Sequence, residues 1–172
     1  MSDASNVKLN TNRDANLNSN LGANQNTKPS VNTAQTLLGF DFGTRYIGIA
    51  VGDSETRSAH PLDMIDAEDN ATRFARIQKL LEEWRPTGLV VGLPLNLEGE
   101  ETEMTRRARR FSRQLEARFG LPVVMADERL STASAREQLN SRGRGGQADK
   151  HRSHALAAQI ILQGFLDERA TA

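Results

Sequence analysis
The run Leu37-Leu38-Gly39-Phe40-Asp41-Phe42-Gly43-Thr44-Arg45-Tyr46-Ile47-Gly48-Ile49-Ala50-Val51-Gly52-Asp53 decides the fold. Two apolar, β-rich stretches, 37–41 and 46–53, are separated by a short turn around Gly43 and Thr44. Residues 57–65 form a third candidate strand, and Pro61 assigns it to an edge or a bulge because proline cannot donate to a ladder. Strands so closely spaced predict an antiparallel meander.

Downstream the pattern changes. Phe74, Ile77, Leu80, Leu81 and Trp84 recur at helical spacing, so a helix is expected over 70–84, capped by Asn70 and stopped by Pro86. Residues 87–93 read as a buried strand. Thr102 can cap a long helix to Phe119 that Gly120 ends. A strand over 121–126, a helix from Ser131 or Thr132 to about residue 141, a Gly/Arg loop over 142–147 and a last helix over 150–168 complete the chain. Strands alternating with helices favour parallel pairing, hence a mixed sheet covered by helices.

Residues 1–36 contain nine Asn and no aromatic residue. Such a segment cannot bury enough apolar surface to offset its ordering entropy, so it reads as a disordered tail before a domain over 37–172. Its few arginines and lack of amphipathic pattern argue against a transit peptide, and no secretory signal is visible. No apolar run approaches the roughly 18 residues of a membrane helix; the expected location is cytoplasmic. The absence of cysteine excludes disulfide scaffolds, thiolate metal sites and thiol catalysis.

Carboxylates at strand ends carry the chemical signal. In such sheets ligand sites lie beyond the strand termini. Asp41 closes one apolar strand, and Asp127-Glu128-Arg129 follows another. Two acids brought together there suit Mg²⁺ or Mn²⁺, which prefer oxygen ligands. The alternatives are a turn-capping role for Asp41, an ion pair of Glu128 with Arg129 or a neighbour, and a turn or supporting role for Asp127.

The 22 basic and 22 acidic residues cancel, but the neutral total is segregated. Residues 37–105 carry six basic and 13 acidic side chains, whereas residues 106–152 carry 12 basic and five acidic. Arg106, Arg110 and Arg113 share one helical stripe, and Arg142 and Arg144 lie in the Gly-rich loop. Arg45, Arg129, Lys150 and Arg152 are further candidates for phosphate contact. Asn96 is a candidate for substrate or for loop structure, and the Arg106–Arg113 run could equally be a solvated helix face. The few aromatics argue against a base-stacking platform.

Four motifs resemble those of the YqgF family of pre-16S ribosomal RNA nucleases, relatives of Holliday junction resolvases. They are Leu38 to Ala50, Val90-Val91-Gly92-Leu93-Pro94-Leu95-Asn96, Asp127-Glu128-Arg129-Leu130-Ser131-Thr132, and Lys150 to Leu162. They come in the family's order. The resemblance implies a ribonuclease H-like α/β fold with a five-stranded mixed sheet: three antiparallel strands, then parallel βα units flanked by helices. It also implies a metal-dependent nuclease with three acids, two of which map onto Asp41 and Glu128. The third family position, four residues after Lys150, is His154 here instead of Asp. Asp149 is the weaker substitute, lying more than one helical turn before His154, and His151 is at most a phosphate-side contact. Asp41, Glu128 and His154 are therefore the expected catalytic and metal-holding set. Loss of one negative charge predicts a preference for Mn²⁺ over Mg²⁺. The implied substrate is structured RNA, namely precursor 16S ribosomal RNA. The alternatives are a DNA-junction nuclease and a non-catalytic RNA-binding assembly factor. An actin-like kinase shares the Asp-x-Gly-Thr pattern but needs two such domains.

Overall fold
A computed structural model of the chain describes residues 35–130 and 147–171. Its elements are β1 (Thr36–Phe42), β2 (Tyr46–Asp53), β3 (Ser58–Asp66), α1 (Asn70–Trp84), β4 (Gly88–Leu93), α2 (Glu103–Phe119), β5 (Val123–Asp127), a 3-10 turn (Glu128–Leu130) and α3 (Gln147–Thr171). The expected helix over 131–141, the loop arginines Arg142 and Arg144, and the tail up to residue 34 lie outside the described residues. Gln35 and Thr36, assigned to the tail from composition, belong to the sheet region. Thr36 pairs with Asp53, and Gln35 exchanges hydrogen bonds with Ser54.

The sheet order is β3-β2-β1-β4-β5. β1 and β3 run antiparallel to β2, while β4 is parallel to β1 and β5 to β4. This is the expected mixed sheet. Pro61 sits on the edge strand at the expected bulge: Ile49 pairs with Asp63 and Ala50 with Pro61, leaving Leu62 as the extra residue.

Side-chain alternation divides the core into two layers. Leu38 and Phe40 of β1, Ile47 and Ile49 of β2, and Leu89 and Val91 of β4 pack with Phe74 and Ile77 of α1 and Phe111 and Leu115 of α2. Leu37, Ala50, Val90 and Ala126 face the other way, onto Ala158, Ile161, Leu162 and Leu166 of α3. The α3 face of the sheet is built from small residues, so this helix approaches closely. A Cβ at Gly39 or Gly52 would meet Leu162 at 2.8 Å.

Helix ends follow local chemistry. α2 begins at Thr102 with a reciprocal capping box to Thr105 and ends at Gly120, whose φ of 66° suits glycine. For α1 the cap is Asp69, not Asn70. Asp69 has the extended backbone of a cap and accepts from Thr72 N–H at 2.8 Å, which makes Asn70 the first helical residue. No described helix is long and apolar enough to cross a membrane.

Candidate active site at the carboxyl end of the central strands
Alternation along β1 puts Leu37, Gly39 and Asp41 on the α3 side. Asp41 pairs across the ladder with Gly48. A Cβ at Gly48 would overlap the carbonyl oxygen of His154, so the α3 backbone rests directly on β2 at this point. That contact delivers the His154 ring to Asp41, with Nδ1 and Oδ2 3.9 Å apart. The imidazole stacks on Tyr46, with ring centroids 5.1 Å apart and planes 26° apart. A gap of 3.9 Å is too long for a hydrogen bond. Both side chains remain open to solvent, 34% exposed for His154 and 24% for Asp41.

Glu128 arrives from the other side. Ala126 faces α3, and Glu128 lies two residues further, in the 3-10 turn that ends β5. Its carboxylate lies over Gly92 of β4, where a Cβ would collide with Oε1 and would meet Ile161 Cδ1 at 2.7 Å. Gly92 follows Val91, the register partner of Phe40, just as Asp41 follows Phe40. Asp41 thus has Gly48 on one side and Gly92 on the other. His154 overlies the first glycine and Glu128 the second.

Two carboxylates and one imidazole are suitable donors for a hard or borderline divalent cation. Among the described residues, however, no three His, Asp or Glu side chains lie close enough to form one metal-holding group. The residues fit a cation in donor chemistry, with Asp41 and His154 the pair that is drawn together.

The other expected contacts divide clearly. Arg45 projects from the β1–β2 turn, 55% exposed, and pairs with Asp66 at 3.1 Å and Glu68 at 3.4 Å. The Asp66 hydrogen bond, reinforced by its charge, raises the Arg45 pKa above the usual value. Arg129 is gripped by Asp127, from Nη2 to Oδ2 at 2.6 Å, and its guanidinium lies against Gly99. The Asp127 hydrogen bond raises the Arg129 pKa. Asp127 also accepts from the Arg129 backbone N–H at 2.9 Å, the turn contact offered as one alternative for this residue. Asn96 accepts from Glu100 N–H at 2.7 Å and donates to the Glu100 carboxylate at 3.2 Å, closing the loop after β4. Lys150, Arg152 and Asp149 are exposed on the first turns of α3. His151 contacts Asp63 of β3 at 2.9 Å, and Arg76 reaches the same carboxylate at 3.2 Å. This network ties the start of α3 to the sheet edge.

Tyr46, Gly48, Gly92 and Arg73 shape the site without having been singled out. Glycine inside a strand signals close backbone approach, and that signal was present at positions 48 and 92. Arg73 is 6% exposed and donates to the carbonyls of Thr44 and Ala67, bracing the turn that follows Asp41.

Comparison with known proteins bears on the family and the fold. The family described as "RuvX: Holliday junction resolvase" matches residues 35–168. A protein of Thiobacillus denitrificans is 49% identical over 140 residues, covering 81% of this chain and 97% of that protein. One of Methylobacillus flagellatus is 47% identical over 144 residues, covering 84% and 99%. Both bear the name "Putative pre-16S rRNA nuclease". Among solved structures, T. thermophilus RuvC in complex with a Holliday junction substrate superposes with a TM-score of 0.54 at 18% identity, over 78% of this chain and 96% of that one. That similarity establishes the ribonuclease H-like fold. With most of its length matched by the family and nearly half of its aligned residues shared with such relatives, the chain belongs to the RuvX family.

Proposed function
We propose that this protein is a nuclease that hydrolyses phosphodiester bonds with the help of a divalent cation, and that its substrate is precursor 16S ribosomal RNA, processed in the cytoplasm during ribosome biogenesis. The observation that carries the reading is the placement of Asp41 between Gly48 and Gly92, with His154 over one glycine and Glu128 over the other. Asp41, His154 and Glu128 would hold the cation. Bound there, it would supply charge neutralisation at the phosphodiester and a more readily ionised attacking water. Tyr46 orients the His154 ring by stacking on it. The Gly48 contact fixes where α3 presents that ring.

Substrate phosphates would be met by Lys150 and Arg152 on the first turns of α3 and by Arg142 and Arg144 just before it in sequence, while Arg45 and Arg129 would have to exchange their carboxylate partners for phosphate. Asn96 shapes the adjoining loop. An imidazole in place of a carboxylate removes one negative charge from the donor set, which favours Mn²⁺ over Mg²⁺.

A DNA-junction substrate is the second reading, favoured by the family's description as a Holliday junction resolvase. Purified protein is incubated with precursor 16S RNA and with a four-way DNA junction, each with and without Mn²⁺. Metal-dependent cleavage of the RNA at a defined position is the expected result. Cleavage of the junction alone moves the assignment to DNA. Binding without cleavage of either substrate replaces the nuclease reading with that of an RNA-binding assembly factor.

A further inference from the structure
α2 carries six arginines, and the structure sorts them into two kinds. Arg107 is neutralised by Glu103 at 2.6 Å and Arg109 by Glu101 at 2.6 Å, while Arg118 lies over the ring of Phe74. Arg106, Arg110 and Arg113 are exposed, and their side chains have no ion-pair or hydrogen-bond partner among the described residues. At about 100° per residue these three fall within an arc of about 60°. The arc lies opposite the face that buries Thr105, Ala108, Phe111, Ser112 and Leu115.

This is an unfavourable arrangement for an ordinary solvated helix. Like charges at i, i+3 and i, i+4 repel, and a cation near a helix N-terminus opposes the macrodipole. The glutamates at the start of the helix, Glu101 and Glu103, are committed to Arg109 and Arg107, which leaves Glu116, beside Arg113, as the one acid of the helix near the stripe. The stripe also starts at the end of the sheet that carries the candidate site, on the face opposite α3. The Thr105 hydroxyl donates to the carbonyl of Pro94, directly after β4, so Arg106 starts at the site end of the sheet. Arg110 and Arg113 then lead away from it. Arg106 to Arg113 spans about 10 Å at 1.5 Å per residue, a length over which one strand of a duplex presents neighbouring phosphates at an axial rise of about 3.4 Å each.

We propose that Arg106, Arg110 and Arg113 form a backbone-tracking strip that holds consecutive phosphates of a nucleic-acid duplex outside the cleavage site. The inference rests on the nuclease reading but concerns a different surface. The strip contributes affinity and register and takes no part in bond cleavage.

The test is binding of a short RNA duplex, and of a DNA duplex of the same sequence, across a salt series. The proteins are wild type, Arg106→Gln/Arg110→Gln/Arg113→Gln, and the charge-balanced control Glu103→Gln/Arg107→Gln. Loss of three phosphate contacts should flatten the slope of log K against log salt by about 2–3 units. Between 50 and 200 mM salt the triple variant's affinity should then fall about 20–40-fold less than that of the wild type. The control should keep the wild-type slope. The triple variant should melt no lower than wild type, because the substitutions remove repulsion from an exposed face. With a cleavable substrate its KM should rise while kcat holds. A flattened slope on either duplex supports the strip, and the arm that shows it identifies the duplex that docks there. An unchanged slope on both, or an equal change in the control, overturns the strip and leaves the nuclease reading standing. Wild type that binds neither duplex overturns the strip too, and cleavage assays on the same preparation then judge the nuclease reading separately.

Discussion
The His154 imidazole faces the Asp41 carboxylate across 3.9 Å, Nδ1 to Oδ2, while its ring rests on Tyr46. Asp41 stands at the end of a central strand and His154 on the last helix, so their meeting depends on α3 docking in one register. The small residues of the sheet face set that register, with Gly48 beneath His154 and Gly39 beneath Leu162.

A prediction about metal preference follows from this pair. Wild type should be more active with Mn²⁺ than with Mg²⁺ at equal concentration. His154→Asp returns an oxygen donor and a negative charge. The ratio of Mg²⁺- to Mn²⁺-supported rates should then rise by about tenfold or more. Equal activation of wild type by the two ions would count against this account.

Gly48→Ala tests the helix docking. The added methyl would overlap backbone at His154, which no side-chain rotation relieves. The expected cost is about 3 kcal/mol, at the upper end of overpacking effects. That corresponds to a fall in Tm of about 10 °C for a domain of this size. Gly92→Ala meets the flexible Glu128 side chain as well as Ile161. It should lower turnover more than it lowers Tm. Differential scanning calorimetry beside a cleavage assay separates the two effects.

Arg73 is a buried cation whose partners are carbonyls, those of Thr44 and Ala67. Arg73→Ala strands both acceptors and opens a cavity beside Phe42. It should cost about 3 kcal/mol, measured as a shift in the urea midpoint. A change below about 0.5 kcal/mol would place this side chain outside the fold's essential contacts.

Acid should selectively erase one helix cap. Asp69 accepts from Thr72 N–H, and that hydrogen bond holds its pKa below the usual value. A depressed carboxylate pKa gives stability that is present above the unfolded value of about 3.9 and lost as pH falls through the folded value. Asp69→Ala should therefore be less stable than wild type at neutral pH. The difference should narrow as pH drops below about 4. A constant difference across that range would show that the carboxylate charge does not matter to the cap.

Much of this architecture is legible in residue order because it depends on local chemistry. Gly43 and Thr44 turn β1 into β2, Pro61 marks the bulged edge, and Thr102 and Gly120 bound α2. Strand ends pointed to Asp41 and Glu128, and comparison of motifs pointed to His154. What residue order concealed depends on tertiary contact. Arg73 reads as a surface residue because its carbonyl partners come from two separate turns. The His151–Asp63–Arg76 network joins three elements that no short-range pattern links. The division of the α2 arginines into paired and unpaired depends on Glu101, which lies before the helix.

The central claim is that Asp41 belongs to a cation-holding, bond-cleaving site. Its most direct test is the rate of precursor 16S RNA cleavage by wild type and by Asp41→Asn in Mn²⁺, on folded proteins of matched Tm. Asn keeps the shape and removes the charge. The account predicts cleavage by wild type that requires Mn²⁺ and a loss of at least about a hundredfold in the variant. Cleavage by Asp41→Asn at the wild-type rate would contradict it.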